Sequence, residues 1–273
     1  MDTLEYRVFI KECHKIVVKV GTSTLSYPNG RLNFQRIESL ASVISGLQQS
    51  GKQVILVSSG AIAAGSGRMG IKEKPAGLAE KQALAALGQT GLMKIYQKFF
   101  EARGQQVAQV LLTKDIVEVP ERRVNASNTL KSLIEMDIIP IINENDTVAT
   151  EEIEFGDNDT LSAYVACLVG ADLLVMMTDI DGLYTADPRT DPDARLIPTV
   201  QEITEQMINS AKGTGNRFGT GGMVTKLAAA SVCKKDNIPV IITNGGKPTN
   251  LQHILSGNPT GTLFYWRVHT LNN

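Results

Sequence analysis

The sharpest chemical feature of this 273-residue sequence is Gly219-Thr220-Gly221-Gly222-Met223-Val224-Thr225-Lys226. It is a glycine loop entering a helical pattern, with a lysine inside the first turn or so. The positive end of a helix dipole disfavours a lysine there, so its presence is easiest to understand if an anion sits between them. A plain mobile loop would use the same glycines. Lys19-Val20-Gly21-Thr22-Ser23 closes an apolar run. An ammonium beside closely approaching amides suits phosphate oxygens, and the same pattern equally suits a snorkelling lysine beside an ordinary turn. Val57-Ser58-Ser59-Gly60-Ala61-Ile62-Ala63-Ala64-Gly65 joins another apolar run to small residues. A helix beginning near Ser59 would aim free amides at an anion, while tight helix-sheet packing would use the same glycines and alanines.

Three polar clusters follow. Asn143-Glu144-Asn145-Asp146 puts short donors and acceptors after an apolar strand, which a solvated turn would also do but which suits a zwitterion, with its ammonium near Asp146. Phe155-Gly156-Asp157-Asn158-Asp159-Thr160-Leu161-Ser162 opens a helix. Capping explains one of its Asp and Asn residues, and the spare carboxylates can orient cations or restrain a metal. Met177-Thr178-Asp179-Ile180-Asp181-Gly182-Leu183-Tyr184, with Ala186-Asp187-Pro188-Arg189, reads alone as a strand end running into a polar turn.

Two familiar patterns fail in context. Gly46 to Lys52 imitates a P-loop, but Gln53 follows the lysine and the segment ends a helix instead of starting one. Gly65-Ser66-Gly67-Arg68-Met69-Gly70 imitates a dinucleotide fingerprint, yet it stands several residues beyond its strand and lacks the acidic residue about twenty positions on. It is expected to be a mobile glycine loop. Cys13, Cys167 and Cys233, and His14, His253 and His269, show no metal-ligand spacing. No protein metal site is therefore expected.

These residues must be positioned by alternating elements. Strands are predicted at Lys15 to Val20, Gln53 to Ser58, Gln106 to Leu112, Ile138 to Ile142, Leu173 to Thr178 and Pro239 to Thr243. Helices are predicted at about Asn33 to Ser50, Leu78 to Arg103, Arg122 to Asp137, Asp159 to Gly170, Ile203 to Ala211 and Gly222 to Asp236. The alternation argues an α/β open sandwich, a mostly parallel sheet with helices on both faces. One domain is expected, with lobes at about 15–171 and 172–265 dividing after Ala171. Asp187 to Asp193 and Lys212 to Gly222 are expected surface loops. A net charge of -1, with no basic cluster interleaved with aromatics, argues against nucleic acid. No apolar run is long enough to span a membrane and the N-terminus has no leader pattern, so a cytosolic protein is expected.

Taken in order, the segments resemble the amino acid kinase family, and within it the glutamate-phosphorylating branch. They are Lys19 to Thr22, Ser59 to Gly65, Asn143 to Asp146, Gly156 to Asp159, Thr178-Asp179, Gly182 to Pro188 and Gly219 to Lys226. The likeness runs from about Lys15 to Phe264. It implies an α/β/α sandwich and ATP-dependent phosphorylation of the γ-carboxylate of L-glutamate, with Mg²⁺ on the nucleotide. By that resemblance Lys19 and Lys226 are the catalytic cations and Asp159 orients them. Ser59, Gly60, Asp146 and Asn158 hold glutamate, with Asn143 joining them. Lys19, Gly21, Thr178, Asp179 and Thr220 through Lys226 (Thr220, Gly221, Gly222, Met223, Val224, Thr225) hold nucleotide. Amides at Gly21 and Gly60 help hold phosphate oxygens, and Asp157 is a supporting carboxylate.

The resemblance also implies proline as an end-product inhibitor and a homo-oligomer, dimer or tetramer. Many such proteins carry a C-terminal RNA-binding type of module, PUA, and a short form without it is expected here. The competing readings are a related kinase acting on aspartate, acetylglutamate, carbamate or a nucleoside monophosphate, and a non-catalytic amino-acid sensor on the same fold. A dehydrogenase would rest only on the rejected glycine pattern.

Overall fold

Apolar runs of five or six residues, rich in Val, Ile and Leu, become strands covered on both faces, and the longer periodic segments become their crossovers. The computed structural model describes residues 3–27, 31–71, 73, 75, 77–149, 158–211 and 222–266. α1 (Thr3–Glu12) leads into β1 (Lys15–Val20), the short α2 (Thr22–Leu25) and α3 (Phe34–Gln49), then β2 (Gln53–Ser58), α4 (Ala61–Met69) and α5 (Leu78–Glu101). β3 (Val107–Leu112), α6 (Asp115–Glu118), α7 (Pro120–Glu135), β4 (Ile139–Glu144), α8 (Asn158–Val169) and β5 (Leu173–Thr178) follow. The chain continues through β6 (Thr199–Val200), α9 (Glu205–Ala211), α10 (Met223–Lys235), β7 (Val240–Asn244), α11 (Thr249–Leu255) and β8 (Thr262–Phe264).

Among the described residues, eight strands form one sheet in the order β3-β4-β2-β1-β5-β7-β8-β6. All pairings are parallel except β7 with β8, which is antiparallel. The boundary expected after Ala171 falls between α8 and β5, and strands on both sides of it belong to this one sheet. Alternate strand residues divide between two cores. Val17, Val57, Ile142 and Met176 face α8 and α10, whereas Ile16, Leu56, Ile141 and Val175 face α3 and α5. The strand order reverses between β1 and β5, so their C-terminal ends open the crevice where such sheets take ligands.

Local chemistry sets several ends. Asn33 caps α3 by accepting the Arg36 amide at 3.1 Å, and Pro120 occupies the first turn of α7. The P-loop imitation does end α3 and precede β2, and Lys52 spends its ammonium on the Lys11 and Cys13 carbonyls at 2.9 and 2.6 Å. The second imitation corrects the expectation of a mobile loop: Gly65 to Met69 lie inside α4. The reason is a backbone contact between α4 and α5. A methyl group on Gly65 would collide with the Leu84 carbonyl, and one on Gly88 with the Ala61 carbonyl. These glycines serve helix-helix approach.

Burial pushes the Cys13 thiol up to about 12, with the Asp172 charge adding to it. A hydrogen bond with Cys167, followed by burial, also pushes the Cys233 thiol up. Among the described residues, no helix is long and apolar enough to cross a membrane.

Candidate active site

Lys19 stands two residues beyond Val17 on β1 and therefore shares its face, the one covered by α8 and α10. Its Nζ lies 2.6 Å from Asp159 Oδ1, in the first turn of α8. Lys226, in the first turn or so of α10, places its Nζ 3.0 Å from Asp159 Oδ2. Thr225 Oγ1 lies 2.9 Å from that same oxygen and 2.7 Å from the Gly222 carbonyl. Asp159 is 0% exposed, and Lys19 and Lys226 are 7% and 5% exposed, so all three charges are out of water. Burial alone would raise the Asp159 carboxyl, but the ammonium groups of Lys19 and Lys226 outweigh it and hold the carboxyl well below the usual carboxylate range. In this triad two cations face one anion, leaving one positive charge in excess at a buried position. A desolvated excess charge of that kind is costly by itself and favours an incoming anion.

Beside the triad opens a cavity of about 310 Å³. Thr178 and Asp179 border it at the end of β5, and Gly222, Met223 and Lys226 at the start of α10. Leu183, Ile197 and Met207 give it an apolar wall. A concave, mostly apolar site with a few convergent polar groups is how small ligands are held, and this volume is at the small end of that class. Thr178 Oγ1 donates to Asp179 Oδ1 at 3.0 Å, which fixes the carboxylate at the rim.

A second polar cluster forms at the ends of β2 and β4. Asn143 follows Ile141 on β4 and so points to the α5 face, whereas Asn158 arrives from α8. Asn158 Nδ2 lies 2.8 Å from the Ser58 carbonyl, 2.9 Å from Ser59 Oγ and 2.8 Å from Asn143 Oδ1. Ser58 Oγ is 3.0 Å from the buried Tyr96 hydroxyl, which ties the end of β2 to α5. Asp146 lines a neighbouring cavity of about 180 Å³ with Gln89, Gln109 and Glu144. Asn158 and Asp159 are consecutive, so one turn of α8 serves both the carboxamide cluster and the lysine pair.

The structure thus brings together Lys19, Asp159, Thr225 and Lys226, and separately Ser59, Asn143 and Asn158. Thr178, Asp179, Gly222 and Met223 share the larger cavity. Gly60, with φ +92°, caps α4 and sits against Thr22, so the loops after β1 and β2 touch. The Gly21 amide is already committed to the Met177 carbonyl at 3.2 Å, because it continues the β1-β5 ladder; what the glycine leaves is room beside Lys19 Nζ. Val224, partly buried on α10, packs against the core. Thr220, Gly221 and Asp157 lie outside the described residues. Gln89 was not foreseen from the sequence, although it falls on the buried stripe Leu84, Ala85, Gly88, Gln89, Leu92 and Tyr96 of α5, where a polar residue is conspicuous.

The profile of the amino acid kinase family matches residues 14–244, and the chain belongs to that family. Among its relatives, the glutamate 5-kinase of Listeria innocua is 52% identical over 262 residues, covering 94% of this chain and 95% of that protein. The glutamate 5-kinase of Clostridium perfringens is 50% identical over 262 residues, covering 94% and 97%. Of solved structures, the isopentenyl phosphate kinase of T. acidophilum superposes with a TM-score of 0.64 at 18% identity, covering 92% of this chain and 99% of that one. The UMP kinase of Bacillus anthracis superposes with a TM-score of 0.60 at 16% identity, covering 94% and 97%. These two likenesses establish the three-layer fold.

Proposed function

We propose that the chain transfers the γ-phosphoryl group of ATP to the γ-carboxylate of L-glutamate, giving L-glutamyl 5-phosphate, the first step of proline synthesis from glutamate. The observation that carries this is the convergence of Lys19 and Lys226 on Asp159, between the larger cavity and a carboxamide cluster. The relatives at 52% and 50% identity support glutamate as the acceptor.

A glutamate side-chain carboxyl in water titrates near about 4.3, so the acceptor is ionised at neutral pH and no general base is required. Alignment and charge neutralisation remain to be supplied. Lys19 and Lys226 provide two buried positive charges against the equatorial oxygens, and Asp159 holds both ammonium groups in place before the anion arrives. Burial keeps water out, which strengthens these interactions and protects the acyl phosphate from hydrolysis. Ser59, Gly60, Asn143 and Asn158 hold the glutamate side chain end, and Asp146 takes the α-ammonium.

The cavity bounded by Thr178, Asp179 and Met223 takes the nucleoside of ATP. Among the described residues no cluster of His, Cys, Asp or Glu could hold a metal ion. Mg²⁺ is carried on the nucleotide phosphates, since this ion needs few protein ligands. Bound Mg·ATP supplies the phosphoryl group with its charge partly offset. Proline inhibition through the Asp146 side of the site, a dimeric or tetrameric assembly and a cytosolic location belong to the same proposal.

The test is incubation with Mg·ATP, glutamate and hydroxylamine, which traps an acyl phosphate as hydroxamate. Glutamate-dependent hydroxamate is expected, and titrated proline should raise the glutamate needed for half-saturation. ADP release that ignores glutamate but follows aspartate, acetylglutamate, carbamate or a nucleoside monophosphate would refute the substrate assignment. Glutamate binding by calorimetry without turnover would support a sensor instead.

A further inference from the structure

We propose that Gln89, on α5, is the positioning residue that holds Asn143 in place in the substrate-side cluster, by accepting the one carboxamide donor its backbone anchors leave over. The inference rests on the reading of that cluster as the glutamate site. The backbone settles the orientation of each carboxamide. The Glu144 amide N–H lies 2.9 Å from one terminal atom of Asn143. Only an acceptor can face an N–H, so that atom is Oδ1. At the other end, the Ser58 carbonyl, an acceptor only, lies 2.8 Å from Asn158, so the facing atom is Nδ2. Asn158 Nδ2 then donates to Asn143 Oδ1 at 2.8 Å, in agreement with both anchors.

With its oxygen used twice, Asn143 has Nδ2 left to place, and it is 2% exposed. Gln89 Oε1 receives it at 2.9 Å. Gln89 is itself 8% exposed, its acceptor is given to Asn143, and the residue also lines the cavity that Asp146 borders. Without Gln89, the buried Asn143 nitrogen loses its acceptor. The remedy open to it is rotation, which would surrender the bonds to Glu144 and Asn158 together. Gln89 reaches this point because Gly88, its neighbour, lets α5 press against the Ala61 carbonyl of α4.

The experiment is a double-mutant cycle read by hydroxamate formation, with Gln89→Met, Asn143→Ala and the double variant, titrating glutamate and ATP separately. Gln89→Met should raise the glutamate KM roughly tenfold while the ATP KM stays within about twofold. In the Asn143→Ala background the same change should add no more than about twofold, because Gln89 acts through Asn143. Gln89→Glu retains an acceptor oxygen and should recover most of the glutamate KM; it also serves if Gln89→Met melts early. An unmoved glutamate KM in Gln89→Met, independent multiplicative effects, or a parallel rise in ATP KM would each overturn the assignment. Wild-type enzyme forming no glutamate-dependent hydroxamate would instead overturn the substrate reading and this inference with it.

Discussion

Lys226 Nζ lies 3.0 Å from Asp159 Oδ2 although the two residues are 67 positions apart, and the carboxylate they share with Lys19 has no exposure to solvent. Asp159 thus holds two ammonium groups on one buried carboxylate.

In the proposed role, where Lys226 faces the equatorial oxygens as an oxyanion donor would, replacing it by alanine should lower the rate of phosphoryl transfer by roughly 10²- to 10³-fold or more. Lys19 still pairs with Asp159 at 2.6 Å, so the carboxylate is not left uncompensated and the fold should survive. Hydroxamate formation and a circular-dichroism melt measure the two outcomes. A folded variant with near-normal turnover would remove Lys226 from the chemistry.

Asp159→Asn probes the same triad through pH. The folded carboxyl titrates well below its unfolded value of about 3.9, because the two ammonium groups overcome the cost of burial. Its contribution to stability is therefore complete above that unfolded value and is lost as pH falls toward the folded one. Wild type should exceed the variant by about 3 to 5 kcal/mol near neutrality, since the variant buries two unpaired ammonium groups. The gap should be flat from about pH 8 to pH 5 and narrow below about pH 4. Urea melts across that range would contradict the pairing if the gap were to widen in acid.

Why part of this was legible in the sequence, and part was not, follows from the kind of signal each feature leaves. β1, β2 and β5 have the boundaries expected, because Lys15 to Val20, Gln53 to Ser58 and Leu173 to Thr178 are near-continuous apolar runs covered on both faces. Three-residue β8 and two-residue β6 carry no period, and their pairing depends on partners far along the chain. Gly65 inside α4 looked like a loop because glycine is a poor helix former, and only the opposing Leu84 carbonyl explains it. Residue parity would have put Lys19 and Thr178 on one face of the sheet and Asn143 on the other. Which helix then met each face was a matter of tertiary packing, and for that reason Gln89 was missed.

Gly88→Ala should act at a distance. The added methyl collides with the Ala61 carbonyl, so α4 and α5 must separate at their crossing. A cost of about 1 to 3 kcal/mol is expected for overpacking of this sort. The same shift moves Gly60 and Ser59 at the start of α4 and Gln89 on α5, so the glutamate KM should rise while the ATP KM holds. A melting curve combined with separate substrate titrations tests both. Loss of stability with both KM values unchanged would show that the crossing does not shape the site.

Met207→Trp tests the larger cavity. Met207 on α9 contributes to the apolar wall of the cavity that Thr178 and Asp179 also line, and it packs partly buried against the core. An indole there occupies a large share of about 310 Å³ without touching the carboxamide cluster. The ATP KM should rise by roughly tenfold or more, as expected when a well-formed apolar pocket is obstructed, with the glutamate KM near its wild-type value. Because the sequence has a single other tryptophan, Trp266, a fluorescence change on nucleotide titration offers an independent readout of occupancy. Unchanged nucleotide affinity in a folded Met207→Trp protein would place the nucleoside elsewhere, and a rise confined to glutamate would exchange the roles of the two cavities.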